Sequence, residues 1–248
     1  MTQLTVLIAC EESQAECLAF RELGHEAYSC DIQPCRPSGH PEWHIHGDVL
    51  PLLDGLADFV TQDNTPHHIE QWDLIIAHPP CTYLCVCGSY WLWYLDRKNG
   101  CHFDKLNSPN PERMAKLKQA REFFYRCYRA KADYVAVENP KPMRLAQLPP
   151  PDCYIQPSWF GVKWTKKTFY WLRNLPPILP TIEHPSPKSF VNASRGKYRS
   201  RTFPEVARAL AEQWSKYVIE DLERRNLEKL RTILEPTLSI GSNTFDQP

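Results

Sequence analysis

The stretch WDLIIAHPPCTY, from Trp72 to Tyr83, decides the class of the fold. An apolar run this short, closed by two prolines, is typical of a buried strand in a parallel sheet rather than of a helix. Because Pro79 and Pro80 lack the backbone N–H that a sheet requires, the strand must end before them. Cys81 is therefore predicted at the carboxyl end of a central strand, where open α/β sheets carry their chemistry.

A second stretch of the same kind follows later in the chain. Residues 132–140, ADYVAVENP, form a short apolar run that ends in polar residues and proline. Glu138 lies at the end of this predicted strand. Because neighbouring parallel strands end at the same edge of a sheet, the thiol of Cys81 and the carboxylate of Glu138 are expected to lie close together. The pair is a candidate active site.

The N-terminal residues predict a βαβ unit. Leu4–Cys10 is an apolar run typical of a strand, Gln14–Leu23 has its apolar residues on one helical face, and Gly24 signals the end of that helix. His25–Asp31 predicts the second strand. A unit of about 30 residues has the size of a nucleotide-binding half-fold. The expected fold is α/β and Rossmann-like, with a mostly parallel central sheet and helices on both faces.

The remaining pattern predicts further elements and a division of the chain. Strands are expected at residues 44–49 and 165–172, and helices at residues 52–59, 111–131, 204–217 and 219–234. The aromatic-rich segment 82–111 has no clear period; it is either an active-site loop insertion or a short helix at residues 89–95 packed on the core. We expect a domain over residues 1–217, followed by a C-terminal helix and mobile tail in residues 218–248.

Composition and charge narrow the functional classes. The chain has 29 basic and 29 acidic residues, so any affinity for nucleic acid must come from local patches. No run of about 18 apolar residues is present, and the N-terminus has no apolar signal region, so we expect a soluble cytoplasmic protein without a membrane segment. The ten cysteines include no C-x-x-C pair, so we expect reduced thiols and no metal site.

Two aspartates at predicted strand ends are candidate ligands of a cofactor. Asp31 lies where a carboxylate accepts hydrogen bonds from the ribose hydroxyls of an adenosyl cofactor or a dinucleotide. Asp48, in the sequence GDV at residues 47–49, is placed to meet an adenine amino group. Both have a structural alternative, since aspartate commonly ends strands and caps turns.

These residues together resemble the cytosine-C5 DNA methyltransferases. That family carries a Pro-Cys nucleophile at one strand end and a Glu-Asn pair at the next. Pro80-Cys81 matches the first pair and Glu138-Asn139 matches the second. GDV resembles the family's adenine-contacting motif, and RSRTFPEVARAL at residues 199–210 resembles its late cofactor-contacting segment. The resemblance is closest to the small methylase-like proteins of phages and mobile elements.

The resemblance implies a class I methyltransferase fold over most of the chain. It implies methyl transfer from S-adenosylmethionine to C5 of cytosine in nucleic acid, most simply DNA, with single strands or a small nucleotide as other possible substrates. The Cys81 thiolate would add to C6, Glu138 would bind N3, and Asn139 would orient the Glu138 loop. No oligomeric state is implied. The cofactor residues that it implies are Cys10, Glu11, Glu12, Ser13, Asp31, Ile32, Asp48, Val49 and Pro79.

Three features differ from the family pattern. The loop CEESQAE at residues 10–16 contains no glycine, whereas the family's cofactor loop is glycine-rich because glycine lets a ligand approach the backbone closely. Ala77-His78 replaces a pair of glycines, and the imidazole is either a proton relay or a packed turn residue. Only residues 173–194 are available to read base sequence, which is far fewer than a base-reading module needs.

Cationic and aromatic residues remain for contact with a substrate. Lysines flank Trp159, Phe160 and Trp164, and a basic run without an acid follows them. Such a patch neutralises phosphates and stacks on bases, although most charged runs are solvated faces. The predicted nucleic-acid contacts are Lys163, Lys166, Lys167, Arg195, Arg199 and Arg201.

Two other functions remain open. The first is methylation of an exocyclic amine, which the sequence HPPCT faintly resembles; that chemistry needs Asp, Asn or Ser before the prolines and an aromatic residue after them, so His78 and Cys81 argue against it. The second is a catalytically silent protein that binds nucleic acid or nucleotide on the same fold, which the glycine-free loop favours. Calorimetry of cofactor binding separates the silent protein from an enzyme.

Overall fold

A computed structural model describes residues 2–92, 109–183, 185, 187–189 and 202–238, with the side chains of residues 90, 91 and 235–238 outside that description. Three predicted nucleic-acid contacts, Arg195, Arg199 and Arg201, lie outside the described residues. Residues 93–108 of the aromatic segment 82–111 also lie outside the described residues. Among the described residues, no helix is long and apolar enough to cross a membrane.

A seven-stranded sheet forms the centre of the protein. Its first five strands in spatial order run parallel, and β10 then lies antiparallel between β7 and β8. The spatial order is β3-β2-β1-β6-β7-β10-β8. The strands of this sheet are β1 (Thr5–Ala9), β2 (Glu26–Asp31), β3 (His44–His46), β6 (Trp72–Ala77), β7 (Ala132–Pro140), β8 (Cys153–Ile155) and β10 (Thr168–Arg173).

Four short strands and four helices complete the described structure. The short strands form two small sheets, β4 (Asp58–Val60) with β5 (Pro66–His68) and β9 (Trp164–Thr165) with β11 (Lys188–Ser189). The helices are α1 (Ala15–Glu22), α2 (Leu50–Leu53), α3 (Pro111–Tyr128) and α4 (Pro204–Leu238).

Two hydrophobic cores cover the two faces of the sheet. Successive side chains of a strand point to opposite faces, so Val6 and Ile8 of β1 pack in the core formed with α1 and α4. Leu7 and Ala9 pack in the other core, which includes side chains of α2 and α3. Both faces are therefore buried under helices, which explains why the parallel strands are near-continuous apolar runs.

This architecture confirms the predicted class. The five parallel strands follow the 3-2-1-4-5 order of a doubly wound α/β sheet, with helices on both faces. The antiparallel β10, inserted before the last strand of the sheet, completes a Rossmann-like, mostly parallel sheet. The strands predicted at the N-terminus, at Trp72 and at residues 132–140 are all present.

Several predicted elements were wrong in extent. The helix expected at residues 52–59 is a single turn, because Gly55 takes a left-handed φ of 90° and ends it; residues 58–60 form a strand instead. The helices expected at residues 204–217 and 219–234 are one continuous α4, because no glycine or proline lies between residues 205 and 235. The strand at residues 44–49 ends at His46.

The strand predicted at residues 165–172 is divided into β9 and β10. In the aromatic segment, a 3₁₀ helix spans Val86–Leu92 and Leu92 is 1% exposed. The described part of that segment therefore matches the short packed helix more closely than an open loop, although the helix begins earlier than expected.

Candidate active site

A cleft of about 620 Å³ opens at the carboxyl ends of β1, β2, β3 and β6. Its position agrees with the general rule that open α/β sheets bind ligands beyond the carboxyl ends of the strands. The wall includes every residue that the sequence implied for the cofactor, with the exception of Pro79. Pro79 is buried, and its exposed neighbour Pro80 forms that part of the wall. Folding has thus brought four separate strand ends into one cavity.

The loop after β1 makes a tight turn without glycine. Cys10 has a φ of 63° and Gln14 a φ of 57°, both in the left-handed region that glycine normally occupies. The backbone N–H groups of Cys10 and Glu11 donate to the carbonyl of Cys30 at 2.7 and 3.2 Å. The side chain of Gln14 exchanges two hydrogen bonds with the backbone of His40. These contacts hold a conformation that costs each non-glycine residue about 1–2 kcal/mol.

The acidic residues of the cleft wall already have contacts within the chain. Arg36 donates two hydrogen bonds to the Glu12 carboxylate, at 2.7 and 2.8 Å. Asp31 Oδ1 accepts the backbone N–H of Gln33 at 2.8 Å, and Asp48 Oδ1 accepts that of Leu50 at 3.0 Å. Each aspartate therefore fills the structural role that aspartates at strand ends commonly have, and each also faces the cleft.

Cys81 begins a 3₁₀ turn directly after the prolines. The backbone N–H of Cys85 donates to the carbonyl of Cys81 at 3.0 Å, which brings the two side chains to the same side of the turn. Their thiols share a hydrogen bond, and the Sγ atoms of Cys85 and Cys87 are 3.5 Å apart. Cys81 is half-buried in the cleft wall, whereas Cys85 is buried.

The contacts of the two thiols shift their pKa values in opposite directions. The hydrogen bond from Cys81 to Cys85, assisted by donors from the following turn, lowers the pKa of Cys85 to about 5. The same hydrogen bond, together with burial and the charge of Glu138, raises the pKa of Cys81 well above its ordinary value. These opposite shifts favour a thiolate at Cys85 over one at Cys81, whereas the resemblance implies a thiolate at Cys81.

Glu138 lies beside the end of β6 because Ala77 pairs with Val137 in the parallel β6–β7 register. The imidazole of His78 stands between two carboxylates. Its Nε2 is 3.1 Å from Glu16 Oε2, and its Nδ1 is 3.5 Å from Glu138 Oε2. Asn139 is fully buried; its amide donates to the carbonyl of Pro140, and its Oδ1 has no partner among the described residues.

Two residues of this site were not identified from the sequence. Glu16 is completely buried in the first turn of α1, where an acidic residue would be read simply as favourable to the helix dipole. Thr202 lines the cleft and donates to Glu16 Oε1 at 3.1 Å. The only sequence signal for Glu16 is that an acidic residue lies on an otherwise apolar helical face. No sequence signal indicates Thr202.

The three described lysines of the predicted nucleic-acid surface have different surroundings. Lys163 and Lys167 are exposed, and Lys167 Nζ is 3.7 Å from the centroid of the Tyr154 ring. Lys166 is half-buried and lines a small cavity together with Glu138 and His78. Lys166 therefore faces a cavity, whereas Lys163 and Lys167 are open to solvent. Among the described residues, no group of three or more His, Cys, Asp or Glu side chains is arranged to hold a metal ion.

The fold has solved relatives at low similarity. No protein-family model matches the chain, and no curated protein does. A proposed DNA modification methyltransferase encoded within a prophage (E. coli) is similar at 12% identity and a TM-score of 0.41, over 74% of this chain and 52% of that one. A mutant of Spodoptera frugiperda DNMT2 is similar at 14% identity and a TM-score of 0.30, over 78% and 57% respectively. The chain thus spans little more than half the length of either relative.

Proposed function

We propose that the protein is an S-adenosylmethionine-dependent methyltransferase that modifies C5 of cytosine in nucleic acid, and in DNA first. The observation that supports this proposal is the single cleft that joins the loop after β1, Asp31 and Asp48 to Cys81. Glu138 lies at the adjacent strand end, as the chemistry of cytosine activation requires. The resemblance of Pro80-Cys81 and Glu138-Asn139 to the C5 family supplies the reaction.

The residues of the cleft fit an adenosyl cofactor. Its volume of about 620 Å³ lies within the range of about 300–1,000 Å³ that is usual for ligand pockets. Ile32 is 77% exposed beside Asp31 and offers an apolar surface to a base, while Asp31 would hold ribose hydroxyls and Asp48 an adenine amino group. Ser13 and the backbone near it would hold the amino-acid end. When bound, S-adenosylmethionine supplies an electrophilic methyl group.

The thiol of Cys81 would add to C6 of the cytosine ring. Its proton passes to the neighbouring Cys85 thiolate as the sulfur–carbon bond forms, so that a weakly acidic thiol becomes the nucleophile only in the presence of substrate. Glu138 would hydrogen-bond N3 and stabilise the charge that develops on the ring. C5 thereby becomes nucleophilic. After methylation, water takes the C5 proton, the sulfur leaves C6 as the C5–C6 double bond re-forms, and Cys85 returns its proton to Cys81.

Substrate strands would lie along the surface formed by β8, β10 and the turn between them. Tyr154 is 42% exposed, and its ring lies 5.4 Å from that of Trp159 and 6.0 Å from that of Phe169. Lys167 borders this aromatic cluster, with its Nζ 3.7 Å from the centroid of the Tyr154 ring and 5.1 Å from that of Phe169, and Lys163 is a further exposed cation of the same segment. Exposed aromatic rings beside cations suit the stacking of unpaired bases and the neutralisation of phosphates.

Mass spectrometry of nucleosides tests the reaction. Cells that express the wild-type protein should accumulate 5-methylcytosine, and cells that express Cys81→Ala should not, although both proteins should fold and bind cofactor. Calorimetry with Asp31→Ala should show cofactor affinity weakened by about 1.5–3 kcal/mol, the usual contribution of hydrogen bonds to a charged group. If 5-methylcytosine persists with Cys81→Ala, the covalent mechanism is wrong; equal affinities would mean that the cofactor site is misassigned.

The second candidate is a catalytically silent binding protein on the same fold. It is favoured by the raised pKa of Cys81, caused chiefly by the hydrogen bond with Cys85, and by the contact of Glu12 with Arg36 at the cleft wall. Cofactor binding without any methylated nucleoside, in cells or with purified nucleic acid, would favour this candidate over the enzyme.

A further inference from the structure

His78 occupies a position that connects the cleft to the interior of the protein. It directly follows β6, and its backbone N–H donates to the carbonyl of Ala9 at 2.9 Å, which fixes it between the ends of β1 and β6. Its side chain is 14% exposed, that of Glu138 is 15% exposed, and that of Glu16 is completely buried. Both imidazole nitrogens therefore face carboxylates, one in the interior and one at the site.

Two carboxylates around one imidazole favour its charged form. A buried carboxylate is costly unless a charge or hydrogen bonds compensate it. Glu16 accepts a hydrogen bond from Thr202 at 3.1 Å and lies 3.1 Å from His78 Nε2. Although burial alone opposes the imidazolium, Glu16 and Glu138 raise the pKa of His78 well above its usual value.

Other titratable groups surround this pair. Glu11, on the loop after β1, accepts the backbone N–H of Glu16 at 2.8 Å, and Tyr170 of β10 and Lys166 line a cavity of about 30 Å³ that touches both His78 and Glu138. A polar cavity needs roughly 10–15 Å³ to hold a water. The cavity is therefore large enough for a water beside the imidazole and the Glu138 carboxylate.

We propose that His78 is a positioning residue that holds the proton delivered by Glu138 to cytosine N3, and that Glu16 keeps the imidazole charged and oriented. This inference rests on the proposed function. As Cys81 sulfur bonds to C6, a proton passes from His78 Nδ1 through the Glu138 carboxylate to N3, which leaves a neutral imidazole. When the sulfur leaves, N3 returns the proton by the same path. The separation of 3.5 Å is long for a hydrogen bond, as is common before substrate binds.

The first test measures the charge of His78 without reference to activity. In an NMR pH titration of the apoprotein, the imidazole signals that are missing from His78→Gln should report an imidazolium at neutral pH. In Glu16→Gln the same signals should titrate at least about one pH unit lower, because an opposite charge within this distance shifts a pKa by about 1–3 units. A neutral His78 at pH 7 in the wild type, or an unchanged titration in Glu16→Gln, would overturn the inference.

The second test measures single-turnover methylation of a cytosine oligonucleotide from about pH 5.5 to about pH 9.5. The wild-type rate should fall as His78 loses its proton. His78→Gln should be at least tenfold slower and should lose that alkaline decline, with little change in the KM for the oligonucleotide. In Glu16→Gln the decline should move to lower pH. The exposed residue His68 provides a control, since His68→Gln should behave like the wild type.

The outcomes distinguish this inference from the proposed function. If the wild-type protein transfers no methyl group, both the proposed function and the proposed role of His78 are refuted, whatever the NMR titration shows. If the wild-type protein methylates and His78→Gln retains the wild-type rate within twofold and the same pH profile, only the proposed role of His78 is refuted. If His78→Gln fails to fold, the displaced pH profile of Glu16→Gln decides the question.

Discussion

The most informative residues are Cys81 and Cys85, because the structure gives them opposite acidities. Their interaction raises the pKa of Cys81, which faces the cleft, and lowers the pKa of the buried Cys85. A nucleophile held as a thiol is protected from oxidation, since the thiolate is the reactive form. The cost is that Cys81 depends on its neighbour to remove a proton.

We predict that Cys85→Ser lowers the methylation rate of the protein at neutral pH by about 10²-fold, the lower end of what a general base contributes. Serine retains the shape but not the acidity that makes Cys85 a thiolate. The rate of the variant should rise with pH as hydroxide replaces the lost base. Rates of Cys85→Ser and of Cys153→Ser, a matched change outside the cleft, would be compared across pH; equal rates would contradict the prediction.

Glu11 gives a second prediction at this scale. Burial, and then the charge of Glu16, raise the pKa of Glu11 to about 8 from an ordinary value of 4.5. Because the folded state holds this proton more tightly than the unfolded state, stability is expected to fall as the pH rises from 4.5 towards 8. Glu11→Gln cannot lose a proton, so it should be more stable than wild type at pH 9 by about 1–3 kcal/mol and should differ less at pH 5.

Denaturant unfolding of the two apoproteins at both pH values measures this difference. An advantage of Glu11→Gln that is the same at pH 5 and pH 9 would mean that packing, not the charge of the carboxylate, determines the effect. A variant less stable than wild type at pH 9 would show that the hydrogen bonds from the N-terminus of α1 hold the ionised form.

At the scale of the elements, the register of β6 and β7 brings the reactive groups together. Ala77 and Val137 pair at the last position of the ladder, so the residues that follow them, His78 and Glu138, are neighbours. The prolines after β6 end its pairing with β1 as well. Strand ends that coincide in this way explain why residues 60 positions apart in sequence share one site.

Helix α4 is attached to the sheet by a buried aspartate. Asp221 is 6% exposed and accepts hydrogen bonds from Tyr134 of β7 and from Arg224, and its Oδ2 lies 2.7 Å from Arg225 Nε. Beyond it, Leu227, Leu230 and Ile233 are more than half exposed. The last turns of α4 therefore make little contribution to the core.

We predict that Asp221→Ala destabilises the protein by about 1–3 kcal/mol, because the buried hydroxyl of Tyr134 loses its acceptor. Glu228→Ala removes only an exposed ion pair with Arg224 and should change the free energy of unfolding by no more than about 0.5 kcal/mol. Thermal and denaturant unfolding of the two variants would check this. Equal effects would mean that Asp221 does not attach α4 to the sheet.

At the scale of the whole molecule, the chain offers little surface for reading a base sequence. From the sequence we expect residues 173–194 to be too few for a base-reading module, and phosphate contacts position a strand without reading its bases. Flipping a base out of a duplex costs a few kcal/mol, and least when the base is already unpaired. A small contact surface with the nucleic acid offsets little of this base-flipping cost.

We therefore predict faster methylation of a cytosine in a single strand than in its duplex, with weak dependence on flanking sequence. Binding should weaken steeply with salt, and Lys163→Gln together with Lys167→Gln should lower affinity by a similar factor for every sequence. The exposed Lys216 on α4 provides a matched control. Initial rates on both substrates in several flanking contexts test this; a strong preference for one duplex sequence would refute it.

The sequence alone determined the elements whose signals are local. The apolar runs at Trp72 and Ala132 were sufficient to place Cys81 after the end of β6 and Glu138 near the end of β7, although β7 continues two residues further than predicted, to Pro140. The same kind of signal placed Asp31 at the end of β2. Prediction from the sequence pattern failed at residues 52–59, where the apolar pattern was ambiguous and Gly55, in a left-handed conformation, ended the helix early.

Only the tertiary structure decided what surrounds those strand ends. The contact of His78 with Glu16 joins the residue after β6 to α1. The insertion of β10 between β7 and β8 brings Lys166, which precedes β10, to the cavity that Glu138 also lines. The left-handed turn at Cys10 is held by Cys30 and the region around His40. Periodicity and turn propensity report neighbours along the chain, whereas the charge, burial and proton of a side chain depend on groups that only folding brings near.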